Sequence, residues 1–114
     1  YLMTSIKDHI FLLCISANSI EFDNLNYKHE RPSYSTGVLL KIDKNLNLDS
    51  YKLIENHFQL VSGITYFKGL EASDNKLHLF GNTNGELSYD STNVINRLEY
   101  NRINYLARID ADLN

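Results

Sequence analysis

The chain has 114 residues, a length that suits one domain of ordinary size. Hydrophobic residues make up 43% and charged residues 22%, the balance of a globular chain and not of a disordered one. A net charge of −3 argues against nucleic acid or an acidic membrane as partner, and the single cysteine, Cys14, excludes an internal disulfide. No apolar run approaches the roughly 18 residues that suggest a membrane-spanning helix, so no membrane insertion is expected.

Branched and aromatic residues are plentiful, and they fit a pleated, half-buried surface better than a helix. The expected fold class is therefore all-β. In chain order, Leu2–Ile6 reads as an edge strand, and Ile10–Ile15 is apolar on both alternating faces, as a strand covered on both sides would be. In Gly37–Asp43, Val38, Leu40 and Ile42 share one face, with Leu39 and Lys41 on the other. Tyr51–Ile54 and Leu60–Phe67 are further candidates. Lys76–Phe80 places Leu77 and Leu79 together, and Tyr105–Asp110 closes the series. Asn, Asp, Ser and Gly separate these runs, the punctuation of antiparallel hairpins.

The same pattern occurs twice. K-I-D-K-N-L-N at Lys41–Asn47 returns as R-I-D-A-D-L-N at Arg108–Asn114, 67 positions later, and Leu39 aligns with Leu106. Upstream, Asp8–Leu13 aligns with Asp74–Leu79 at 66 positions, which calls for one inserted residue between Asn18 and Phe22. The expected division is a first unit at 1–59 and a second at 60–114. Each unit is read as a four-stranded antiparallel sheet. The second unit has no fourth strand before Asn114, so the chain is expected to be a piece of a longer array.

Tandem four-stranded units point to the blades of a β-propeller, two of them here, the second incomplete. L-L-K-I-D-K-N-L-N resembles the third strand and turn of β-propeller repeats in bacterial secreted and surface proteins. L-H-L-F-G-N-T-N at Leu77–Asn84 is similar to their second strand. Leucines, Leu46 and Leu113, stand where those repeats carry a turn glycine, and the spacing exceeds the usual blade length of about 40–50 residues. The resemblance implies an extracellular, surface or periplasmic location, with further blades of the same protein as neighbours. A β-sandwich is the alternative architecture.

The extra length lies in two polar segments, Ser16–Thr36 and Asn82–Asn104, long enough to carry function. The second reads as holding a short helix, capped by Ser91 or Thr92, with Val94, Ile95 and Leu98 on one face. Phe22, Tyr27, Arg31 and Tyr34 in the first, and Tyr89, Arg97, Tyr100 and Arg102 in the second, are candidate contacts for a protein or glycan ligand. Tyrosine and arginine anchor interfaces through rigid contact area and planar hydrogen bonding. The competing reading is that these segments only cover sheet edges.

Asp43, Asn45, Asn47 and Asp49 alternate as the oxygen ligands of calcium loops do, but leucine occupies the sixth position, where such loops have glycine. An ion-free turn explains the same residues. His9, His29, His57 and His78 show no ligand spacing, and Cys14 sits in an apolar strand as an inert thiol would. No nucleophile elbow or phosphate loop is present. The function expected is a non-catalytic scaffold or binding platform. The alternative is part of a propeller hydrolase or lyase whose active site needs other blades.

Overall fold

The computed structural model describes residues 1–16, 19–23, 25–28, 36–56, 65–84, 87–95 and 103–114. Every regular element among them is a strand, and every strand pairing is antiparallel, so the chain is all-β. The first half supplies β1 (Leu2–Ile6), β2 (His9–Ser16), β3 (Ser19–Phe22), β4 (Leu25–Lys28), β5 (Thr36–Ile42) and β6 (Leu48–Asn56). The second supplies β7 (Thr65–Ser73), β8 (Lys76–Thr83), β9 (Leu87–Tyr89), β10 (Thr92–Ile95) and β11 (Ile103–Asp110).

One sheet runs β1-β2-β5-β6-β9-β10, a second runs β11-β8-β7, and β3-β4 form a separate hairpin. The first sheet thus combines a four-stranded meander from residues before 60 with a hairpin from residues after it. The short helix expected around Val94 is replaced by β10, which pairs with β9 across a tight turn at Asp90 and Ser91. Both turn residues have positive φ, 49° and 66°, a geometry that reverses a strand and cannot start a helix. Leu98 lies outside the described residues, as does the 60–64 stretch of the expected Leu60–Phe67 strand.

Alternation along β2 and β5 divides the interior. Phe11, Leu13, Leu39 and Ile54 leave one face of the first sheet and bury against Phe67, Leu70, Leu77, Leu79 and Ile109 of the second. Val38, Leu40 and Ile42 leave the other face, where Leu25 of the β3–β4 hairpin covers them with Ile20 and Phe22. Strand β2 feeds both clusters, as its two apolar faces require. The sheets approach closely at Gly37: a Cβ there would stand 2.7 Å from the Phe67 ring, so the missing side chain makes room for it.

The strand registers of the two halves correspond at a single spacing of 67. Ile10 faces Ile42, and Leu77 faces Ile109; Leu13 faces Leu39, and Phe80 faces Leu106. Phe22 faces Leu25, and Tyr89 faces Thr92. The positive-φ residues Lys7, Asp23 and Leu46 have counterparts in Asp74, Asp90 and Leu113. The 66-residue alignment of strand two is therefore one residue out, and no insertion is needed. Register is weakly fixed by sequence where both faces are apolar, because a one-residue slip then exchanges one apolar face for another. Burial does not follow register. Leu39 is fully buried, whereas its counterpart Leu106 is 72% exposed.

A buried polar knot ties the end of β6 to the second sheet. The Asn56 amide donates to Thr65 Oγ1 at 3.0 Å, Thr83 Oγ1 at 3.2 Å and the Asn84 carbonyl at 2.8 Å. The two threonine hydroxyls lie 2.9 Å apart. Mutual satisfaction is what lets polar groups sit inside an apolar core.

Leu46 and Leu113 both adopt φ of 65°, a left-handed conformation unfavourable for a residue with a Cβ. Leu46 is exposed, and Leu113 is fully buried in the main core. Leu46→Gly should therefore raise unfolding free energy by about 1 kcal/mol. Leu113→Gly should lower it by about 1–3 kcal/mol, because lost burial outweighs relieved strain. Urea denaturation of both variants checks the opposite signs.

Candidate functional site

Two of the eight candidate contact residues, Phe22 and Tyr89, have side chains among the described ones. Phe22 packs into the cluster beneath the β3–β4 hairpin. Tyr89 packs against the main core, and its hydroxyl donates to the Leu113 carbonyl at 2.6 Å. Burial, reinforced by the charges of Asp90 and Asp110, pushes the Tyr89 phenol well above its usual pKa. These two aromatics hold hairpins onto sheets. Tyr27 falls in the backbone of β4, while Arg31, Tyr34, Arg97, Tyr100 and Arg102 lie outside the described residues.

The proposed calcium residues are engaged locally. Asp43 Oδ1 accepts the backbone N–H of Asn45 at 2.8 Å and of Asn47 at 3.0 Å. Asp110 does the same for Asp112 and Asn114, at 2.9 and 3.0 Å. Asp49 instead lies 3.3 Å from His9 Nε2 and 3.7 Å from Lys41 Nζ. Lys41 also reaches Asp112 at 3.7 Å, linking the two like turns. Among the described residues, no group of three or more His, Cys, Asp or Glu is placed to hold a metal ion.

The concave feature that sequence reasoning missed lies beside β11. A cleft of about 540 Å³ opens between this strand and the β6-β9-β10 end of the first sheet. Leu79, Tyr105, Ala107 and Ile109 form one wall, and Ile54, Leu87, Tyr89 and Val94 the other. Arg108 and Asn114 stand at its polar margin. The Tyr105 hydroxyl donates to the Tyr66 carbonyl at 3.3 Å, and burial raises its pKa. Among the described residues no nucleophile–base pair lines the cleft, and its walls suit apolar side chains. Tyr105–Asp110 reads in the sequence as a strand with no assigned faces, and only the packing of the two sheets places Leu87 and Tyr89 across from Ile109.

Compared with family models, curated proteins and solved structures, the chain has no match. Its reading therefore rests on its own geometry.

Hydrogen bonds from the backbone of Asn47 and Asn45 to Asp43, and of Asn114 and Asp112 to Asp110, hold both carboxyls below their usual pKa of 3.8. A lowered folded-state pKa gives stability that is present above the unfolded value and lost as pH falls through the folded one. Unfolding free energy should thus decline as pH drops below about 4. The combined Asp43→Asn and Asp110→Asn variant should lose less on acidification, as measured by urea denaturation between pH 7 and pH 2.

Proposed function

We propose that the chain comprises two units of a β-propeller-like repeat and serves as a non-catalytic scaffold or binding platform. The observation that carries this reading is the single spacing of 67 that relates strand pairs, hairpins and turns in the two halves. The first half is a four-stranded antiparallel meander, β1-β2-β5-β6, the form of a propeller blade. The first strands of the two units, β1 and β7, touch one another, as inner strands of adjacent blades do.

Stacking supports the same reading. The face of the first unit that bears Leu13 and Leu39 packs on the opposite face of the second, which bears Leu77, Leu79 and Ile109. That is a head-to-tail contact between unlike faces, and such contacts propagate into rings or arrays. By register, Phe80 and Leu106 in the second unit correspond to Leu13 and Leu39, and both are exposed. Further units of the same protein would cover them.

The ligand in this proposal is a protein or glycan held by the segments between β4 and β5 and between β10 and β11, with Arg31, Tyr34, Arg97 and Tyr100 as anchors. An extracellular, surface or periplasmic setting suits this scheme. Glycan arrays and immobilised protein ligands test the platform. A variant carrying Arg31→Ala, Tyr34→Ala, Arg97→Ala and Tyr100→Ala should keep the β-type circular dichroism. It should lose at least about tenfold in ligand affinity, the scale of removed hot spots. Undiminished binding by this variant would remove the loop platform.

A further inference from the structure

We infer that the open edge of β11 is a strand-addition site for an extended segment with the side-chain pattern of β6. The inference rests on the repeat reading above and names the partner that reading implies. Strand β5 is paired on both sides, by β2 and by β6. Its counterpart β11 is paired on one side by β8, and among the described residues no strand pairs with its other edge. Such an edge presents a row of backbone donors and acceptors ready for another strand.

The cleft supplies an independent reason to choose this edge. In the first unit, Leu48 and Leu53 of β6 join the cluster formed by Val38, Leu40, Ile20 and Phe22. The counterparts of those four at a spacing of 67 are Tyr105, Ala107, Leu87 and Tyr89. All four line the cleft of about 540 Å³. The cleft is the space that β6 side chains fill in the other copy. Among the described residues the edges of β1, β7 and β10 are also unpaired, but β11 lines the cleft along its length, from Tyr105 to Ile109, whereas β10 contributes Val94.

Register defines the occupant. In the first unit Leu53 faces Val38, Tyr51 faces Leu40 and Leu48 faces Ile42. A strand of the same kind on β11 places its counterparts of these three residues opposite Tyr105, Ala107 and Ile109. Its alternate residues, the counterparts of Lys52 and Ser50, lie opposite Leu106 and Arg108. Entry has a marked start as well. Asp23, in the β3–β4 turn, accepts the Leu48 N–H at 2.7 Å where β6 begins. Asp90 occupies the corresponding turn, with one oxygen 2.8 Å from Lys52 Nζ.

The test adds a synthetic peptide of sequence LDSYKLIEN, that of β6, to the 114-residue chain. Amide hydrogen exchange by NMR reads where it binds. Saturable binding with slowed exchange across Ile103–Asp110 is expected. A peptide N-methylated at alternate amides, on the edge that meets β11, should bind at least about tenfold more weakly, since main-chain hydrogen bonds carry this mode of recognition. Replacing the peptide residues at the Leu48, Tyr51 and Leu53 positions with serine should weaken binding by a similar factor. Absence of binding at millimolar peptide, equal binding of the N-methylated peptide, or protection confined to β1, β7 or β10 would overturn the inference. None of these failures alters the array result on the loop variant, so the binding-platform reading is judged separately.

Discussion

The apolar contact between the two sheets is the constraint on which the rest of the structure depends. Phe11, Leu13, Leu39 and Ile54 on one side, and Leu70, Leu77, Leu79 and Ile109 on the other, are all buried. Each fully buried side chain in this layer contributes roughly 1.5–3 kcal/mol. The layer also sets the spatial relation of everything else. It brings β9 alongside β6, seats Leu113 in the core, and leaves β11 facing the end of the first sheet across a cleft.

Polar groups refine this arrangement and do not drive it. The Asn56–Thr65–Thr83 knot fixes where the second sheet begins relative to the first, and a buried group deprived of its partner there would cost about 1–3 kcal/mol. The contacts of Lys41 with Asp49 and Asp112 lie near the surface, at 3.7 Å, where ion pairs contribute little. The turn carboxylates Asp43 and Asp110 act locally. Each holds a strand exit in shape by accepting two backbone N–H groups.

Corresponding residues in the two halves meet different fates because the second sheet packs on the first through unlike faces of the two units. Leu13 and Leu39 are covered by the second sheet, while Phe80 and Leu106 have no sheet over them among the described residues. The β3–β4 hairpin stays separate, while β9–β10 extends the first sheet through β6. Similar local sequences thus reach unequal environments through their neighbours. The proposed roles, scaffold and strand acceptor, both follow from that inequality.

By itself the sequence determined the all-β class, the main strands and the alternation that separates Val38, Leu40 and Ile42 from Leu39. Side-chain period and turn residues are local properties, and they survive any change of partner. It also showed the turns at Asp43 and Asp110 as a matched pair, because each depends on a carboxylate and the next few amides. The register of β2 was beyond it, since both faces of that strand are apolar and a slip of one residue leaves the pattern intact. The β10 strand and the cleft beside β11 were hidden for a different reason. Thr92–Ile95 is too short to declare its period, and Leu87, Tyr89 and Ile109 become neighbours only when two sheets pack. Those features were decided by tertiary structure, through contacts between residues far apart in the chain.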